Sequence, residues 1–177
     1  LEKRTVSVAY VLGEEADQLS QFAMKKDILV RINISDGAQS VSANIDQLVV
    51  LLQKLLENAL EFSPPTEEVT LGAEVTSDGN RICLSVCDKG PGIADENLTL
   101  IFESFRQVEG GHTRSHPGVG LGLSIAQEIA LGHGTTIEVL APLGQGSTFS
   151  IALPTADTSQ LHSDAKPSAH EPDATVL

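Results

Sequence analysis

Residues Asp46 to Phe62 constrain this chain more than any other stretch. Leu48, Leu51, Leu52, Leu55, Leu56 and Ala59 recur at helical spacing and give one broad apolar face, which has to be buried against a core. Asp46 is the expected N-cap, and Ser63-Pro64-Pro65 stops the helix because proline can neither donate nor continue it. The polar remainder is not scattered. At about 100° per residue, Gln47, Lys54, Asn58 and Glu61 fall within roughly 60° of one another and form a narrow stripe beside the leucines. An asparagine beside Leu and Ala needs partners, so Asn58 reads equally well as a satisfied or solvated amide and as part of a site.

The remaining elements follow from pattern. Thr5 to Val11 predicts a short strand, followed by a helix whose Leu12, Ala16, Leu19 and Ala23 share a stripe. Glu14 and Glu15 in its first turn and Lys25 and Lys26 in its last suit the helix dipole. Ile28 to Ile34 alternates as a half-buried strand, and S-V-S-A-N-I adds a short one. Glu68 to Thr76 and Arg81 to Cys87 form a hairpin through S-D-G-N. Asp95 is expected to cap a short helix running into Ile101 to Phe105. A polar, breaker-rich stretch from Gln107 to Gly118 predicts a mobile, functional loop. A helix through about Leu131 then turns Leu123, Ala126, Ile129 and Ala130 inward, and the strands T-I-E-V-L-A and S-T-F-S-I-A-L complete the sheet. Beyond Pro154 the pattern dies, which predicts a domain over 1–154 and a disordered tail or linker over 155–177.

Composition excludes some functions. A net charge of −13 argues against binding nucleic acid or an anionic membrane by bulk electrostatics. No run of about eighteen apolar residues and no signal-peptide core occurs, so the chain is expected to be soluble and cytoplasmic, or the cytoplasmic part of a membrane-bound protein. Cys83 and Cys87 lie four residues apart in one strand, roughly 13 Å and too far for a disulfide, and are expected to be free thiols acting as small core hydrophobes. No G-K-[ST] follows a glycine loop. Leu123 stands where a dinucleotide fingerprint needs Gly or Ala, and the glycine loop, V-A-I-K and H-R-D set of the protein kinases is absent.

One hexapeptide invites chemistry. In D-K-G-P-G-I, Asp88 to Ile93, a carboxylate ends an apolar run and two glycines flank a proline, which lets a flat ligand approach the backbone closely. A carboxylate there can accept from the exocyclic amine of adenine. Taken alone, the same letters also make an ordinary turn. Further on, the glycines of G-V-G-L-G-L open a helix, where free backbone N–H groups and the dipole favour an anion.

Taken in order, E-N-A-L-E-F-S-P, D-K-G-P-G-I, I-F-E-S-F, T-R, G-V-G-L-G-L-S-I and G-Q-G-S-T-F closely resemble the boxes of the ATP-binding catalytic domain of bacterial sensor histidine kinases, within the GHKL superfamily. The resemblance covers roughly Val6 to Pro154. It implies an α/β sandwich, the Bergerat fold, in which a mixed sheet carries helices on one face and ATP lies among them under a flexible lid. Asn58 matches the residue that coordinates Mg²⁺, and Asp88 matches the reader of the adenine amine, with Gly90, Gly92 and Ile93 beside it. Phe102 and Phe105 match the aromatic box beneath the lid. Arg114, Gly118, Gly120, Leu121, Gly122 and Leu123 match the lid and second glycine box near the triphosphate, and Thr148 matches a position near the adenine.

The chain also departs from the family. Lys54 stands where the kinases carry Asn, and Glu61 stands where they carry Lys or Arg, so these two are expected, with Arg114, to decide how the phosphates are handled. Superfamily members that hydrolyse ATP carry a Glu at position 54, a part a protonated lysine cannot play. None of His112, His116, His133, His162 and His170 has the context of the kinases' phosphoacceptor histidine. The implied partners are therefore a dimerisation and phosphoacceptor domain outside this chain, through which the whole protein is a homodimer, and a response-regulator receiver domain; the fragment itself is expected to be monomeric. A degenerate, non-catalytic docking module is the alternative reading.

Overall fold

The structure, a computed structural model, describes residues 1–104 and 120–157. The expectations for Phe105, Arg114 and Gly118, for the 107–118 loop and for the tail from 158 onward lie outside the described residues. Among these residues, seven strands and four α-helices run in the order β1 (Arg4–Ser7), α1 (Val8–Gln18), α2 (Ser20–Lys25), β2 (Leu29–Ile34), β3 (Ser40–Ala43), α3 (Ile45–Phe62), β4 (Glu68–Val75), β5 (Arg81–Cys87), α4 (Gly122–Gly132), β6 (Glu138–Leu140) and β7 (Thr148–Pro154). Five strands form a mixed sheet in the order β2-β4-β5-β7-β6, in which only β2 and β4 are parallel, while β1 and β3 pair antiparallel in a separate ribbon. The α/β sandwich expected from the resemblance is the fold found.

Alternation explains the layers. Ile82, Leu84 and Val86 of β5 and Phe149, Ile151 and Leu153 of β7 are buried on one face, against which Leu48, Leu51, Leu52, Leu55, Leu56 and Leu60 of α3 pack. Cys83 and Cys87 occupy the opposite face of β5 and are half-buried free thiols, so the expectation that they fill the core is corrected by the strand's own period. Burial still pushes the Cys83 thiol up.

Five local features differ from the reading of the sequence. Val8 to Val11 is helical rather than extended. The Ser7 side chain accepts from Tyr10 N, and Val8, Val11, Leu12 and Glu15 then share one buried helical face, which outweighs the strand preference of Val and Tyr. The predicted single helix breaks at Leu19 into α1 and α2. Asn44, not Asp46, caps α3: its Oδ1 accepts from Gln47 N at 3.0 Å, and Asp46 sits in the first turn. The helix expected after Asp95 is instead two 3-10 turns, Asp95–Asn97 and Leu100–Phe102, and Asp95 makes no capping bond. Backbone bonds run on to Thr155 and Ala156, which donate to Asn80 and Ser40, two residues past the expected boundary.

Candidate nucleotide site

The site forms where two loops and two helix ends meet. Asp88 follows β5 and is 2% exposed. Its Oδ1 accepts from Gly90 N at 2.7 Å and Ser147 N at 3.1 Å, and its own amide donates to Ser147 O at 2.8 Å. Among the described residues Oδ2 has no partner, so the carboxylate is fixed through one oxygen and offers the other. Burial pushes the Asp88 carboxyl up, and the two backbone bonds work against that.

Glycine is required here by contact. A Cβ on Gly90 would lie 2.9 Å from Phe62 O, where α3 ends, and one on Gly92, at φ +74°, would lie 2.3 Å from Pro142 O. On Gly146, at φ +83°, it would lie 2.0 Å from Asp88 O. The bonds Ile93 N to Ala141 O at 2.9 Å and Gly144 N to Pro91 O at 2.7 Å complete the joint between the Asp88 loop and the loop before β7. The structure places Thr148 at the start of β7. It pairs with Cys87 and Leu140 in the sheet and faces away from the core, while Ser147, one residue earlier and 7% exposed, touches Asp88. The glycine before Ser147 was the available signal, since only that backbone can approach Asp88.

The polar stripe of α3 reaches the start of α4. Asn58 is half-buried and has no hydrogen-bond partner among the described residues. Lys54 Nζ bonds Glu57 Oε2 at 2.8 Å, and Gln53 Nε2 donates to Glu57 Oε1 at 3.0 Å. The stem of Lys54 lies along α4, 3.7 Å from where a Cβ on Gly122 would stand. Gly120 has φ +69°, Leu121 caps α4 through its carbonyl, which accepts from Ile125 N and Ser124 Oγ, and Leu123 packs on the core. Phe102 packs against the core beside α4. Glu61 lies at the far end of the stripe. The cation near it in the described residues is Lys26, whose Nζ donates to the carbonyls of Leu60 and Glu61 and closes the C-terminus of α3. Lys26 was expected to serve the end of its own helix and instead closes α3, and Glu57, the first residue of the E-N-A-L-E-F-S-P box, was given no role of its own.

An acceptor oxygen at Asp88 and an amide oxygen at Asn58 are groups of the kind that an amine-bearing base and a magnesium-bound polyphosphate can use. The family described as histidine kinase-, DNA gyrase B- and HSP90-like ATPase matches residues 43–157. The chain belongs to that ATPase family. Within the family it is similar to sensor-like histidine kinase SenX3 of Mycobacterium tuberculosis, at 34% identity over 171 residues, 95% of this chain and 40% of that protein. It is also 32% identical to sensor histidine kinase WalK of Bacillus subtilis over 121 residues, 67% of this chain and 20% of that one. The chain thus spans well under half the length of these curated relatives. Among solved structures, full-length ShkA in complex with AMPPNP superposes with a TM-score of 0.76 at 31% identity, covering 88% of this chain and 32% of that one. Mycobacterial sensor histidine kinase MprB gives 0.73 at 26%, covering 86% and 97%. As a member of this ATPase family the chain is an ATP-binding domain. No helix among the described residues is long and apolar enough to cross a membrane.

Proposed function

We propose that this chain is the catalytic domain of a sensor histidine kinase, which binds Mg·ATP and presents the γ-phosphoryl to a histidine on a separate dimerisation domain. The observation that carries this is the Asp88 joint: a buried carboxylate fixed through Oδ1, with Oδ2 unpartnered among the described residues, on a loop whose glycines let neighbouring backbone close round it. Asn58 supplies an amide oxygen for Mg²⁺, which offsets phosphate charge when bound. Lys54 replaces the family's asparagine and brings a cation to the glycine box. Phosphoryl transfer asks the protein mainly for positioning and charge compensation, and the α3 stripe with the start of α4 can provide both. A cytoplasmic setting, a homodimer in the whole protein and a receiver-domain partner go with this reading.

The test mixes the chain with γ-labelled ATP, Mg²⁺ and a separate polypeptide carrying the phosphoacceptor helices. Acid-labile, alkali-stable label on that polypeptide and none on this chain supports the proposal, and label on this chain contradicts it. The tie between Lys54 and Glu57 and the acidic Glu61 favour a second reading, a docking module with weak nucleotide affinity. Tight nucleotide binding without transfer supports neither, and undetectable binding supports the second.

A further inference from the structure

Among the described residues, a buried carboxyl stands outside the site just described. Glu15 of α1 is 0% exposed, and among the described residues neither Oε1 nor Oε2 has a hydrogen-bond partner. Helix interiors do not keep such groups without consequence, since an unpaired buried carboxylate is costly. Its surroundings are specific. The charged groups bearing on it are Glu57 from α3 and Glu14 from its own helix; among the described residues, no charged side chain of β1, α2 or β2 bears on it. Glu57 is the residue that holds Lys54, with its second oxygen occupied by Gln53. Lys54 in turn lies along Gly122, where the glycine box opens α4.

Resting on the function proposed above, we propose that Glu57 is a positioning residue that competes with the nucleotide's phosphates for Lys54, and that Glu15 behind it sets the strength of that competition. With Glu15 charged, the negative field behind Glu57 is stronger, and Lys54 is retained at Glu57. With Glu15 neutral, Glu57 alone opposes the phosphates and Lys54 is released toward them. Burial, Glu57 and Glu14 raise the Glu15 carboxyl to about 7, so the exchange falls within the neutral range. Nucleotide binding should therefore take up protons and weaken as pH rises through neutrality. The unusual lysine at position 54 thereby makes α1, a helix outside the motif set, part of the site's control.

The experiment measures ATP affinity with Mg²⁺ by calorimetry at about pH 6 and about pH 8 for the wild type, Glu15→Gln, Glu57→Gln and Glu57→Gln with Lys54→Met. Comparing the chains subtracts the nucleotide's own titration. The wild type should lose about threefold or more in affinity across that range relative to Glu15→Gln. Glu57→Gln should bind several-fold tighter than the wild type at about pH 8, and the added Lys54→Met should remove that gain. Equal pH slopes in wild type and Glu15→Gln, or unchanged or weaker binding in Glu57→Gln, would overturn the inference while leaving the proposed function intact. Absence of nucleotide binding in every chain would overturn both.

Discussion

At the scale of single residues, the site is a set of close approaches that tolerate little change. Gly146 shows this most directly. A Cβ there would lie 2.0 Å from the Asp88 carbonyl at a φ of +83°, so Gly146→Ala should cost on the order of 3 kcal/mol or more in denaturant unfolding and misplace the carboxylate. An alanine variant as stable as the wild type would show the joint to be looser than its contacts imply. Glu15 carries a second residue-scale prediction with a definite sign. Its folded carboxyl stands at about 7 against 4.5 when solvated, so the neutral form favours the fold. The stability this provides is complete below about pH 4.5 and is lost as pH rises to about 7, on the order of 3 kcal/mol in all. Glu15→Gln should remove that loss, and a pH–stability curve parallel to the wild type's would contradict it. The sequence singled out Asp88, Gly90, Gly92 and Asn58, because each stands within its own motif. It gave no sign of Ser147, whose amide donates to Asp88 Oδ1. Periodicity could not see that β7 turns Thr148 outward while Gly146 brings Ser147 onto Asp88.

At the scale of elements, the site depends on α3 and α4 holding one position relative to each other. His133 joins them at the end away from the nucleotide. Its Nε2 accepts from Asn44 N, the cap of α3, at 3.1 Å, and its Nδ1 bonds Ile129 O at 2.8 Å, so the neutral ring carries its proton on Nδ1. His133→Ala leaves both backbone groups without this partner and should cost about 1–3 kcal/mol in chemical unfolding with an unchanged m-value. No loss would mean that water replaces the ring freely. The histidine was visible in the sequence only as part of the turn ending α4. Its bond to Asn44 spans the chain from one helix cap to another, and no local pattern encodes such a pair. The same limit explains α1. Val8 and Val11 look like a strand until Ser7 and the buried face shared with Leu12 are seen together. By contrast, α3 and the β4–β5 hairpin were legible almost to the residue, because a wide leucine face and a D-G turn each specify their structure locally.

At the scale of the whole molecule, one sheet face covered by helices leaves the candidate site at the rim, where the loop after β5 meets the loop before β7 and the end of α3. The order of the motifs in the chain was therefore informative well beyond any one of them, since only the fold brings Asp88, Ser147, Asn58 and Gly122 to one edge. The central claim is that this edge reads adenine through Asp88. Calorimetric titration of ATP with Mg²⁺ into the wild type and Asp88→Asn tests it most directly. The wild type should bind in the micromolar to submillimolar range. Asp88→Asn should lose about 1.5–3 kcal/mol, or roughly ten- to a hundredfold in affinity, while its melting temperature confirms an intact fold. Equal affinity in the two folded chains would contradict the account.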